Sequence, residues 1–367
     1  MGCYMICLKN TILILLFFIS NGSLFSQEKI RQPVDPVGFA TKPGQMDSIM
    51  TRIYRYGEDK IDQALLNAGI KKNSSWKIAI CPHDDYTYVG WLYPAVLRNI
   101  KANTVIIFGV AHKAKSFGLE NEIIFDDFDY WNEPYGKVKV SDLRENIMKY
   151  MPKKDFKVHD TLQTVEHSVE AIIPFLQYFN RGVEIISILV PYMPFEKMDA
   201  ISHSLAFAIE MAMQDKNMEW KRDVAMVIST DAVHYGDEDW GGQNYAEFGC
   251  DSSGYRKAVD YEEEIIRNCL TGQINKEKQE KFTQYTVQKE DYKSYKWTWC
   301  GRYSVPFGLL TAIHLLELLH GDPLRGMLIG YRNSLATPKI PVNDLGMGTT
   351  AVANMHHWVG YTAIGYK

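Results

Sequence analysis

The chain has 367 residues, 46% of them hydrophobic and 23% charged, with a formal net charge of −4. This is the composition of a globular protein with a sizeable core, within reach of one large α/β domain. It excludes a wholly disordered chain and the strongly basic balance of a nucleic-acid binder.

In chain order, Lys9 precedes an apolar run from Thr11 to Ile19, and a small or polar stretch follows as far as Ser26. That pattern predicts a secretory signal peptide over 1–26, export to the periplasm or medium, and a single α/β domain over 27–367. The run is too short to span a bilayer core of roughly 30 Å. Cys3 and Cys7 precede it, so they are misplaced for a lipoprotein signal. Without Lys9 the net charge becomes −5, and no later segment reads as a membrane span. Four cysteines follow, Cys81, Cys250, Cys269 and Cys300, none in a C-x-x-C pair that would signal a zinc ribbon or a redox dithiol.

The next predicted elements are an amphipathic helix over 45–67, a strand over 77–81, a helix over 91–101, and strands over 104–108 and 122–125. A helix over 167–179, a strand over 184–190, a helix over 197–213 and a strand over 224–228 continue the alternation. Helices over 255–270 and 302–319 follow, the second strongly apolar, and from Arg325 the pattern suggests two or three antiparallel strands. Several strands are apolar on both faces, as strands covered by helices on each side must be. The fold expected is a three-layer α/β sandwich around a largely parallel, mixed sheet. Long loops are expected over 235–253 and 284–299, and loops of that length tend to be functional or mobile. Gly346-Met-Gly348-Thr-Thr-Ala351 fits the dinucleotide-binding string, but only 16 residues follow it, too few for a βαβ unit.

In open α/β sheets ligands bind beyond the carboxyl ends of the strands. Three predicted strands share a chemistry there: Pro82-His83-Asp84-Asp85-Tyr86 follows the first, His112 the second, and Asp231 with His234 the strand over 224–228. Any one of these histidines taken singly reads better as a surface or hydrogen-bonded residue. Three at equivalent places predict one polar, metal-binding site, since imidazole is a common transition-metal ligand and a base near neutral pH. His167, opening a predicted helix, either lines the same crevice or acts locally. Cys300 precedes the apolar late helix, where a helix N-terminus favours thiolate, although spacing alone favours a small buried hydrophobe. His159, His203, His314 and His320 lack partners, and His356-His357 would point to opposite faces of a strand. No G-x-S-x-G elbow, P-loop or H-E-x-x-H is present.

With these residues assembled, the chain from about Lys77 onward resembles the Memo family, also called AmmeMemoRadiSam system protein B. The matching pieces are Pro82-His83 with Tyr86-Thr-Tyr88 and Gly90, Gly109 to His112, Glu166-His167-Ser168 with Glu170, and Pro174-Phe-Leu-Gln177. Ser229-Thr-Asp231 with His234-Tyr235-Gly236, and Cys300-Gly-Arg302, complete the set. The resemblance implies a fold like that of class III extradiol dioxygenases and a metal site of two histidines and a cysteine. Carried over by motif, these are His83, His112 and Cys300, with Asp231 and His234 beside them. The family usually reads Pro-His-Ala-Gly-Tyr where Asp84 and Asp85 stand here, and Tyr303 stands where some members have histidine.

The leading expectation is one transition-metal ion, Fe or Cu with Zn possible, in a redox protein. His234 would serve as acid/base, Asp231 would orient it and His167 would assist, with Asp84, Asp85, Tyr86 and Arg302 contacting the ligand. A thiolate in place of the usual carboxylate argues against retained ring cleavage. A second reading is a binding protein for a small molecule or peptide, its crevice lined by Tyr86, Tyr88, Trp131, Tyr192 and Tyr235. A third is a zinc hydrolase with Asp84 or Asp85 as base.

Overall fold

The structure is a computed structural model that describes residues 2, 28–71 and 74–367. The predicted signal segment therefore falls, but for Gly2, outside the described residues. Strands in the first half are β1 (Ile30–Arg31), β2 (Ile78–Cys81), β3 (Thr104–Val110), β4 (Ile123–Phe125), β5 (Tyr130–Glu133), β6 (Gly136–Val140) and β7 (Phe156–Val158). The second half adds β8 (Glu184–Val190), β9 (Val224–Ser229), β10 (His234–Gly236), β11 (Gly272–Gln273), β12 (Arg325–Asn333) and β13 (His357–Tyr366).

All belong to one sheet, ordered β1-β5-β6-β8-β3-β9-β2-β13-β12-β11, with β10 on β13, β4 against β8 and β7 on β4. The centre, β6-β8-β3-β9-β2, is parallel. β13, β12 and β11 extend it antiparallel. Alternation along the strands explains why helices cover both faces. Ile106, Phe108, Ile186, Ile188, Met226 and Ile228 enter one core, and Val105, Ile107, Ile185, Leu189, Ala225 and Val227 enter the other. Helices Phe195–Asp215 and Ser304–Leu318 fill the first layer, and Pro43–Asn67, Leu92–Leu97 and Ile173–Phe179 the second. This is the expected three-layer α/β sandwich. Among the described residues no helix is long and apolar enough to cross a membrane.

Three local expectations change. The helix predicted over 167–179 begins only at Ile173, so His167 sits in an irregular turn instead of opening a helix. That turn must stay irregular because Glu166 takes the N–H groups of His167 and Ser168 onto its own carboxylate. The predicted loop over 284–299 starts inside the helix Lys276–Thr286. Of the two or three strands expected after Arg325, two form, β12 and β13, and Gly348 to Ala353 between them is an irregular segment that lines a cavity.

Candidate metal centre

Because β3, β9 and β2 are adjacent and parallel, their carboxyl ends open side by side. His83 follows β2 and is buried, 1% exposed. Its Nδ1 lies 2.7 Å from Ser229 Oγ, at the end of β9. That hydroxyl already donates to the Ser168 carbonyl at 2.6 Å, so it accepts from His83 Nδ1–H, and Nε2 is left as the free ring nitrogen. His112 follows β3, its side chain 26% exposed. Its Nδ1–H donates to Glu166 Oε1 at 2.8 Å, which again leaves Nε2 free.

Glu166 is the organiser that sequence reasoning did not single out. Its buried carboxylate accepts the backbone N–H groups of His112, His167 and Ser168 as well as the His112 ring. Burial opposes its charge, but the His112 and His167 rings and the Ser168 N–H outweigh it and hold the carboxyl at about 2. Gly109 admits this turn, since a Cβ there would stand 2.6 Å from Val169 Cγ2 and 3.0 Å from Ser168 Oγ.

Cys300 arrives from the segment before the helix Ser304–Leu318. Its sulfur accepts the Asp231 backbone N–H at 3.1 Å and lies 3.5 Å from His83 Nε2. The approach needs Gly301, where a Cβ would stand 2.2 Å from Thr230 Oγ1. Burial and the Asp231 carboxylate push the Cys300 thiol well up, so the distant helix start does not by itself give a thiolate. Metal-ligating atoms of His83, His112 and Cys300 all lie within 4.8 Å of one another. The same holds for Asp231, His234 and Cys300, and for His112, Glu166 and His167.

Asp231 Oδ1 accepts the His83 N–H at 2.9 Å, and Oδ2 lies 3.4 Å from His83 Nε2. Its carboxylate therefore serves His83, whereas the sequence reading had it orienting His234. His234 keeps a buried Nε2 with no partner. Burial and the neighbouring histidines hold that imidazole neutral, its pKa down to about 3. His167 stacks on His112, ring centroids 4.8 Å apart and planes 10° apart.

His83, His112, His167, Asp231 and His234 open into a cavity of about 330 Å³ whose lining also includes Asp35, Phe39, Asp84, Asp85, Tyr88, Trp240, Thr350 and His357, with Cys300 and Glu166 buried behind that wall. Asp85 accepts the Thr350 N–H at 2.7 Å, and burial with Asp84 alongside raises its pKa to about 8. Asp84 takes the Tyr361 hydroxyl, and burial raises it too. Of the aromatic wall expected from sequence only Tyr88 lines this cavity. Tyr86 is buried behind it with its hydroxyl on the Ala171 carbonyl, and Trp131 donates to Asp126. Tyr192 packs near Tyr303, and Tyr235 donates to the Gly249 carbonyl. Arg302 is buried against the Tyr295 ring, 3.5 Å from its centroid, and donates to the Lys293 carbonyl. Asp35, Phe39, Trp240 and His357 had no sequence signal as site residues, because distant segments bring them in.

A family model described as "Memo-like protein" matches residues 54–339, more than half of the chain. The chain belongs to the Memo-like family. It is 28% identical to a MEMO1 family protein of Thermotoga neapolitana over 216 residues, 57% of this chain and 72% of that one. It is 32% identical over 163 residues to one from Pyrobaculum arsenaticum, covering 42% of this chain and 52% of the relative. A third, from Aquifex aeolicus, is 31% identical over 163 residues, 43% of this chain and 54% of the relative. The chain thus spans about half the length of the latter two Memo relatives. The Memo match stops short of Asp35 and Phe39 at one end and of Thr350 and His357 at the other, so both ends of the cavity wall lie outside it.

Proposed function

We propose that this Memo-like protein is a metal-dependent redox protein whose ion is held by His83, His112 and Cys300. The observation that carries the reading is that a partner on Nδ1 fixes each ring and leaves Nε2 unprotonated, while ligand atoms of His83, His112 and Cys300 lie within 4.8 Å of one another. That arrangement of outer partners is how proteins aim histidines at a metal. Two imidazoles and a thiolate suit iron or copper, with zinc as the alternative; a bound iron or copper ion supplies one-electron chemistry and Lewis acidity.

The chain's own residues supply the rest. His234 lines the cavity as a neutral imidazole whose buried Nε2 has no partner, so it can accept a hydrogen bond from a ligand hydroxyl. Asp85, protonated up to about pH 8, can donate a hydrogen bond to a ligand oxygen. Phe39, Tyr88 and Trp240 give apolar walls, and a volume near 330 Å³ suits a small molecule better than a peptide. Oxygen uptake with a panel of catechols and phenols, on protein loaded in turn with iron, copper and zinc, tests the reading. Uptake that needs iron or copper and disappears in His83→Ala is expected. No uptake with any loaded metal overturns the redox reading and leaves a binder or a zinc hydrolase.

A further inference from the structure

We infer that Asp237, Cys250 and His356 form a second metal site, of the kind zinc occupies, which staples the two ends of the loop over 237–251. The argument starts from the backbone. β10 pairs antiparallel with β13 in the register Gly236↔His357, so the chain leaves β10 beside His356. The N–H groups of Asp237 and Glu238 both donate to the His356 carbonyl. At the other end of the loop, Tyr235 Oη accepts the Phe248 N–H and donates to the Gly249 carbonyl. Gly254 lets the helix Ser252–Ile265 start directly on this backbone, since a Cβ there would stand 2.2 Å from the Gly249 oxygen.

Cys250 is thereby held opposite Asp237. Its sulfur is 3.1 Å from Asp237 Oδ1, and His356 Nδ1 is 2.7 Å from the same oxygen. All three ligand atoms lie within 4.8 Å of one another. A tetrahedral zinc site with bonds of about 2.0–2.3 Å has ligand-to-ligand edges of roughly 3.3–3.8 Å. Shifts of up to about an ångström would therefore reach it. Without an ion, the Cys250 S–H and the His356 Nδ1–H both donate to one carboxylate oxygen. A divalent ion replaces these two bonds: the thiol proton is released to solvent, and the imidazole proton leaves Nδ1, by moving to Nε2 in the neutral ring or by release from the imidazolium, so that the Nδ1 lone pair can bind. Thiolate and carboxylate together then match its charge. A sulfur, nitrogen and oxygen set suits zinc, and the exposure of Asp237 and His356 leaves room for water as a fourth ligand.

The site is separate from the first centre. His357 faces the other way, stacked on Trp240 with centroids 3.9 Å apart and planes 9° apart. Trp240 also leans on His234 at 5.2 Å. An ion at the base of the loop would thus fix the one aromatic wall that the loop lends to the cavity. Closing the loop with a metal clip restricts its glycine-rich backbone, where Gly241, Gly242 and Gly249 all have positive φ.

Cobalt(II) titration of chelator-treated Cys300→Ala protein tests this, because that background lacks the thiolate of the first centre. A near-ultraviolet thiolate-to-cobalt band is expected there, lost when Cys250→Ser is added. Adding His356→Ala instead should weaken apparent affinity by about tenfold or more, the scale seen on removing even an outer partner of a metal. Zinc should compete the band away and slow hydrogen exchange over 237–251. No band in Cys300→Ala, or one that survives Cys250→Ser, overturns the site. Exchange unchanged by zinc overturns the staple.

Discussion

Glu166 sets the direction of two histidines with one carboxylate, since it accepts hydrogen bonds from the His112 ring N–H and from the backbone N–H groups of His167 and Ser168. Glu166→Gln should therefore lower metal affinity by about 10- to 100-fold with His83 and Cys300 intact, as isothermal titration would read. His83, His112 and Asp231 were legible in the sequence because a buried strand ending in a polar residue points to the crevice. Glu166 was legible only as part of a motif, since its role depends on a turn that packs across β3 through the bare Cα of Gly109. Cys300 was the reverse case: spacing favoured a core thiol, and only the resemblance to the Memo family moved it to the site. Tyr86 and Arg302 came in with the motifs around His83 and Cys300, but neither lines the cavity.

At the scale of elements, two glycines separate stability from the site. A Cβ at Gly308 would stand 2.6 Å from Ile228 Cγ1 and 3.0 Å from Phe108 Cδ2, beneath the helix Ser304–Leu318. Gly308→Ala should cost about 1–3 kcal/mol by overpacking yet leave metal affinity unchanged. Gly301→Ala should cost a similar amount and also weaken metal binding, because Cys300 must retreat with it. Urea unfolding and metal titration on both variants read the difference. The strands β2, β3, β8 and β9 were legible from their branched residues, because burial on both faces leaves almost no polar position in them. β5 and β6 were missed: Tyr130–Glu133 ends in the polar pair Asn132-Glu133, and Gly136–Val140 carries Lys137 and Lys139, so both are short and neither is a run of branched apolar residues. They are strands only because β6 adds to the edge of β8 and Gly136, at φ 102°, closes the hairpin.

At the scale of the whole molecule, the residues before the family match are tied to the site by a buried ion pair. Arg31 lies 2.6 Å from Glu170, donates to the carbonyls of Gln163 and Glu166, and stacks over Trp131 at 4.1 Å. Glu170 also accepts the N–H groups of Val34 and Asp35. Arg31→Met strands that carboxylate and should destabilise the fold by about 3–5 kcal/mol in urea unfolding. A second global term comes from Glu262, fully buried among the N–H groups of Trp297, Trp299 and Val233. Burial outweighs those donors and raises its pKa from 4.5 to about 7. A carboxyl raised in the folded state stabilises most below the unfolded value, and that share is lost as pH rises through about 7. Stability should fall by on the order of 3 kcal/mol between pH 4.5 and pH 8 through this group, and Glu262→Gln should remove that slope.

The central claim is that His83, His112 and Cys300 hold one transition-metal ion. Anomalous diffraction at the iron, copper and zinc edges, on crystals of protein exposed to all three metals, tests it most directly. The account predicts a peak about 2.0–2.3 Å from His83 Nε2, His112 Nε2 and Cys300 Sγ. The absence of any peak at that point, or an ion there that leaves Cys300 uncoordinated, would contradict it.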